Sequence, residues 1–221
     1  MTRICNIALF LLFIAALFSG CAATRTRAMI EETNERIEKA LYYDAEQYTP
    51  EMIDKARGNI KSSRRMLQRK RKKEALKSAR AALYEASEAL RISSKSKTAV
   101  TWKEAREAKK IVDLNRAGEA NPAVYEKMTG SLREAEKNFI ADRFGASFNH
   151  SKDALFQAEI LLEALKIEAG LTRKRVEENW ERIKDSSPEN EALAGEAGEA
   201  FGKRHYRRAI RIWQKMLDET E

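Results

Sequence analysis

PEMIDKARGNIKSSRRMLQ, residues 50–68, is the stretch that decides the fold. Ile53, Ala56, Ile60, Ser63 and Leu67 follow one another at spacings of 3, 4, 3 and 4, which sets them along one side of a helix as a packing seam. Thr49 is an N-cap candidate, and Pro50 suits the first helical position, where its missing N–H removes no hydrogen bond. Lys70–Lys73 then makes a turn. A second helix begins near 73, with Leu76, Ala79, Leu83, Ala86 and Leu90 on its stripe. Small and large residues alternate there, which lets neighbouring helices come close. The pattern predicts an antiparallel helical hairpin.

The hairpin recurs. A shift of 72 positions carries Pro50 onto Pro122, Lys55 onto Lys127, Gly58 onto Gly130, Arg71 onto Arg143, Ala86 onto Ala158 and Leu90 onto Leu162, with no gap. The second seam, Tyr125, Met128, Leu132, Ala135 and Phe139, keeps the spacing of the first. Helical bias alone would give the spacing, but it would not also place proline and glycine at one offset, so the stretch reads as an internal repeat. Gly58 and Gly130 each cost a helix about 1 kcal/mol against alanine; their shared position marks either close helix approach or simple tolerance. A shorter third copy starts at Pro188, with Leu193, Ala197 and Phe201, a turn at Lys203–His205, and Tyr206, Ala209, Ile210, Trp213 and Leu217. Val176, Trp180 and Ile183 belong to the helix leading in, expected to run from about 145 to 185.

Upstream, Met29, Ile30, Thr33, Ile37, Ala40 and Leu41 mark a helix over 28–43, which DAEQYTP (44–50) interrupts. Ser93–Thr98 is polar, and Thr101 and Glu104 have capping-box spacing. Residues 73–116 therefore read either as one long helix or as two, the second covering 102–116.

The chain opens MTRICNIALFLLFIAALFSGC, residues 1–21. One positive charge at Arg3, the apolar run Ile7–Phe18 and small residues at the end make a secretory signal. The run is shorter than the roughly 20 apolar residues needed to cross a bilayer. Leu17-Phe18-Ser19-Gly20-Cys21 resembles the lipobox of bacterial lipoproteins, with Phe18 in place of the usual aliphatic residue. The resemblance implies removal of residues 1–20, diacylglycerol and a further acyl chain on Cys21, and a short tether over 21–27. Two or three chains together anchor stably where one does not. Ala22 after the cysteine, in place of aspartate, implies delivery to the outer membrane, with the body facing the periplasm.

Two further resemblances concern the body. Tyr48-Thr49-Pro50, then Ala56, Ile60, a turn, and Ala75, Ala79, Ala82 and Ala86 is similar to a domain-of-unknown-function family of small bacterial lipoproteins with Ala-rich helical hairpins; that family implies no activity. Ala200-Phe201-Gly202-Lys203-Arg204-His205-Tyr206-Arg207-Arg208-Ala209 is similar to a tetratricopeptide repeat. The expected fold class is all-α: repeated antiparallel helical hairpins forming a bundle or a short tetratricopeptide-like solenoid. Its expected divisions are 28–118, 119–186 and a last hairpin over 187–221.

Net charge is +8, but it is concentrated. Residues 55–80 hold twelve Lys or Arg and one acid, Glu74. Without Arg3 and this +11 segment, the rest of the chain is −4, so one basic patch sits on a mildly acidic body. Its densest part is Arg64, Arg65, Arg69, Lys70, Arg71, Lys72 and Lys73. Outside the cytoplasm nucleic acid is not the expected partner. The hairpin should return its 70–73 turn towards an anchored amino end, where each basic residue near an anionic lipid surface contributes about 1 kcal/mol; the alternative is a solvated hairpin tip. No catalytic constellation is spelled out. His150 and His205 lie in different copies, beside expected turns, and no zinc-ligand cluster or phosphate-cradling loop appears. Trp102, Trp180 and Trp213 sit at core spacings. No cofactor or metal is expected. The expected role is a non-enzymatic, membrane-anchored scaffold docking another envelope protein; the competing classes are a peptidoglycan-associated enzyme or its activator, and a self-associating spacer.

Overall fold

A computed structural model describes the backbone of residues 2–218 and the side chains of residues 22–218. The side chains of residues 1–21, where the signal and the lipidation of Cys21 are expected, lie outside the described residues. The chain is all-α: ten helices and no strand among the described residues. They are α1 (Thr2–Tyr42), α2 (Ala45–Tyr48), α3 (Pro50–Gln68), α4 (Lys72–Leu114), α5 (Ala117–Ala120), α6 (Pro122–Ile140), α7 (Phe144–Glu178), α8 (Trp180–Ser186), α9 (Asn190–Gly202) and α10 (Tyr206–Asp218). Two compact units divide it, Met1–Lys97 and Thr98–Glu221.

In the first unit α3 runs antiparallel to α1 and α4. Ile53, Ala56, Ile60 and Ser63 are buried as the seam requires, and Leu67 is half-buried at its end. The stripe on α4 is displaced from the expected one. Ala75, Ala79, Ala82, Ala86 and Ala89 are fully buried, while Leu76, Leu83 and Leu90 flank them half-buried. α4 packs against two helices here, and only alanine lets both backbones approach. The polar run Ser93–Thr98 does not break α4. Ser93, Ser94 and Thr98 are buried, and Ser93 Oγ donates to Ala40 O of α1 at 3.4 Å. Thr101 is likewise buried in mid-helix, so it caps nothing and residues 72–114 form one helix. Thr49 does sit at the start of α3, but its hydroxyl donates back to Ala45 O at 3.2 Å instead of capping.

The second unit recurs on the same offset. α5 and α6 match α2 and α3 in length and position after a shift of 72. The left-handed residues Asp44 (φ 57) and Lys70 (φ 62) fall on Arg116 (φ 50) and Asp142 (φ 54). Arg204 (φ 61) holds the same place in the last hairpin. Each hairpin turn closes with the same pair of backbone bonds, Lys70 N to Leu67 O and Arg71 N to Met66 O in the first, which satisfy carbonyls at the helix end. The hairpins are locked reciprocally. Ser63 Oγ of α3 donates to Ala75 O of α4 at 2.8 Å; in the second, Ser147 of α7 donates to Ala135 O of α6 at 2.7 Å. Donor and acceptor have changed sides at matched positions.

Trp213, Tyr206, Ala209, Met216 and Leu217 bury α10 against α7 and α9. Trp102 stacks on Phe139, ring centroids 5.7 Å apart. The long helix leading in ends at Glu178, and α8 restarts after Asn179. Asn115 is 1% exposed; its amide donates to Ile111 O and Arg204 O, both at 2.8 Å, and its oxygen accepts from Arg207 N at 3.1 Å. That side chain ties the end of α4 to the last hairpin turn.

Candidate functional site

The basic segment is built at the end of the first hairpin. Arg64 and Arg65 are exposed on the last turn of α3, Arg69 ends it (φ −80, ψ 7), and Lys70 takes the left-handed position. Arg71 pairs with Glu74, its Nε 2.7 Å from the carboxylate. Lys72 and Lys73 open α4. Cations suit the carbonyl end of α3, whereas Lys72 and Lys73 at the N–H end of α4 are opposed by the helix dipole. Among the described residues Arg64, Arg65, Arg69, Lys70 and Lys73 form no ion pair.

Tertiary structure adds what the run alone does not show. A cleft of about 440 Å³ is lined by Arg27, Ile30, Glu31 and Asn34 of α1 and Arg64, Leu67 and Gln68 of α3. A second, about 390 Å³, continues it along Asn34, Arg57, Ile60, Lys61, Arg64, Arg65 and Gln68. The end of α3 thus lies beside Arg27, and Cys21 precedes Arg27 by six residues of continuous helix, about 9 Å at 1.5 Å per residue. The structure brings the end of α3 beside the middle of α1, at Arg27–Asn34. Residues 22–27 continue α1, with Thr26 buried and its hydroxyl donating to Ala22 O at 2.8 Å. Arg27 and Arg57 join the patch, although Arg57 also approaches Glu46 at 3.7 Å. Their place could not be read from the sequence because both lie outside the dense run.

A third cleft, about 420 Å³, lies in the second unit between Leu114, Asn115, Glu196, His205, Arg207, Arg208, Arg211 and Ile212. Glu196 there accepts from Arg208 at 2.8 Å. His205 sits at the last turn as expected, its N–H on Ala200 O, but His150 is inside α7, not beside a turn. Each of these clefts carries at most one carboxylate. No group of three His, Cys, Asp or Glu side chains that could hold a metal occurs among the described residues. No helix of those residues is long and apolar enough to cross a membrane.

Comparison with protein-family models, with curated proteins and with solved structures gives no match to this chain.

Proposed function

We propose that this chain is a lipid-anchored helical interaction module of the bacterial envelope, held through Cys21 at the periplasmic face of the outer membrane. It acts as a non-enzymatic scaffold that docks another envelope protein on its hairpins. The observation that carries the reading is the position of the basic turn. Arg64 lines one cleft with Arg27, six residues of helix from Cys21, and Arg64, Arg65, Arg69, Lys70 and Lys73 form no ion pair among the described residues. A protein tethered at that residue presents the basic end of its first unit to anionic lipid. Helix faces on the hairpins then remain open to a partner helix or peptide.

The contact is tested by reversing Arg69, Lys70, Arg71 and Lys72 to Glu in unlipidated protein and measuring binding to anionic vesicles. Losing four contacts of about 1 kcal/mol each weakens binding by at least about a hundredfold. Unchanged binding removes the membrane contact. Palmitate labelling that fails to mark Cys21 removes the anchor.

A further inference from the structure

We infer that α7 is a self-association surface, on which a second copy of this chain docks antiparallel about a two-fold axis. The inference does not rest on the anchor or on the basic end. α7 buries Phe148, Ala154, Ala158, Leu161, Leu162, Leu165, Ala169 and Val176 on its inner side. Its outer side is also apolar: Phe156 is 61% exposed, Ile160 42%, Ile167 57% and Leu171 61%. These residues and exposed Ala164 form one stripe, about 22 Å from Phe156 to Leu171. A solvent-facing helix normally puts polar residues there.

The hairpin fold does not require this stripe. At the matched positions on α4, 72 residues earlier, Ile160, Ile167 and Leu171 are replaced by Glu88, Lys95 and Ala99. Phe156 and Ala164 fall on Tyr84 and Ile92, so charge at Glu88 and Lys95 interrupts in the first copy a face that is apolar throughout in the second.

The order along the stripe identifies the occupant. Asp153, Phe156 and Ile160 lie as far before the midpoint between Glu163 and Ala164 as Lys174, Leu171 and Ile167 lie after it. An antiparallel copy centred there sets Phe156 on the second copy's Leu171 and Ile160 on its Ile167. Asp153 then meets Lys174 at both ends. Asp153 forms no ion pair within its own chain among the described residues, and Lys174 only reaches Glu178 at 3.6 Å. Glu163 at the centre is held by Lys166 at 3.1 Å. A parallel copy would oppose Asp153 to Asp153 and Lys174 to Lys174. The isologous arrangement is the one a closed dimer uses.

The test uses the full chain in mild detergent, with sedimentation equilibrium reading its mass and circular dichroism its folding. The wild type is expected to move from monomer to dimer as concentration rises. Ile160→Glu with Ile167→Glu, both exposed, keeps the helical signal and raises the midpoint concentration at least about tenfold. Asp153→Lys weakens the dimer, and Asp153→Lys with Lys174→Asp restores it. Mixed Phe156→Cys and Leu171→Cys chains oxidise to the mixed disulfide, above the background from native Cys5 and Cys21 in wild type. A folded wild type that stays monomeric at every concentration, or Phe156→Cys chains that couple preferentially to each other, overturns the inference.

Discussion

Replacing glycine by alanine at three helical positions should change stability with opposite signs. Gly58 in α3 and Gly130 in α6 have negative φ, and a β-carbon added at either meets nothing within 4 Å. Their recurrence therefore marks tolerance, not close helix approach. Each Gly→Ala should stabilise its unit by about 1 kcal/mol, because alanine loses less backbone freedom on entering a helix. Gly118 in α5 differs. A β-carbon there would lie 2.5 Å from Tyr125 Cδ2, 2.7 Å from Cγ and 3.1 Å from Cβ. Two of these atoms are close to the backbone, so swinging the ring tip does not relieve the clash. The ring is also fixed by its hydroxyl, which bonds Asp113 at 2.8 Å and Lys109 at 3.2 Å. Overpacking of this kind costs about 1–3 kcal/mol, more than the helical gain in most of that range. The matched position in the first unit explains the exception: Glu46 stands where Gly118 stands, because Ile53 replaces the Tyr125 ring. Urea and thermal unfolding of the three variants decide the matter, with about 2–4 °C expected per kcal/mol at this size. Tyr125→Ile should recover part of the Gly118→Ala loss in a double-mutant cycle. A Gly118→Ala variant as stable as Gly130→Ala would refute the reasoning.

Two further outcomes follow from buried groups. Ser151 Oγ is buried with no hydrogen-bond partner among the described residues, and the matched residue in the first unit is Ala79, so Ser151→Ala should raise stability by about 1 kcal/mol in urea melts. Asp113 holds the Lys109 ammonium above its ordinary pKa by hydrogen bonding, against partial burial, while burial holds the Tyr43 hydroxyl above its own, with Tyr42 adding to it. Both groups bind their protons more tightly when folded, so stability is unaffected by them well below about pH 10 and falls as pH rises through the folded values, where the contribution of protonated Lys109 and protonated Tyr43 is lost. Lys109→Gln should flatten part of the alkaline fall in stability, read from urea melts across that range.

The fold was legible where one side chain meets its neighbours at helical spacing. Ile53, Ala56, Ile60 and Ser63 signal the seam because a two-helix contact needs one stripe. The alanine face of α4 was misplaced by about one residue, since a helix serving two neighbours centres its burial between two stripes. Ser93–Thr98 looked like a break because hydroxyls next to one another favour turns, yet a hydroxyl can bury by donating to a carbonyl of its own or a neighbouring helix. Asn115 was invisible as a clamp: its partners Arg204 and Arg207 lie 89 and 92 residues away. The basic run was plain in composition, but its place beside Arg27 depends on α3 returning along α1.

Lys70 joins the stability of the turn to its charge. A non-glycine residue at φ 62 bears the left-handed penalty, of order 1 kcal/mol, which glycine would not. Lys70→Gly should therefore raise stability while removing one cation from the proposed lipid-facing end, a loss of about 1 kcal/mol or roughly fivefold in vesicle binding. Asp142 occupies the same backbone position in the second hairpin without that charge, so Asp142→Gly supplies the control: a similar gain in stability and no loss of vesicle binding. Urea melts and vesicle co-sedimentation of the two variants separate the effects. If both glycine variants leave binding alike, the lysine at the turn serves only the fold. If Lys70→Gly alone loses binding while gaining stability, the chain keeps a strained residue at that turn for its charge.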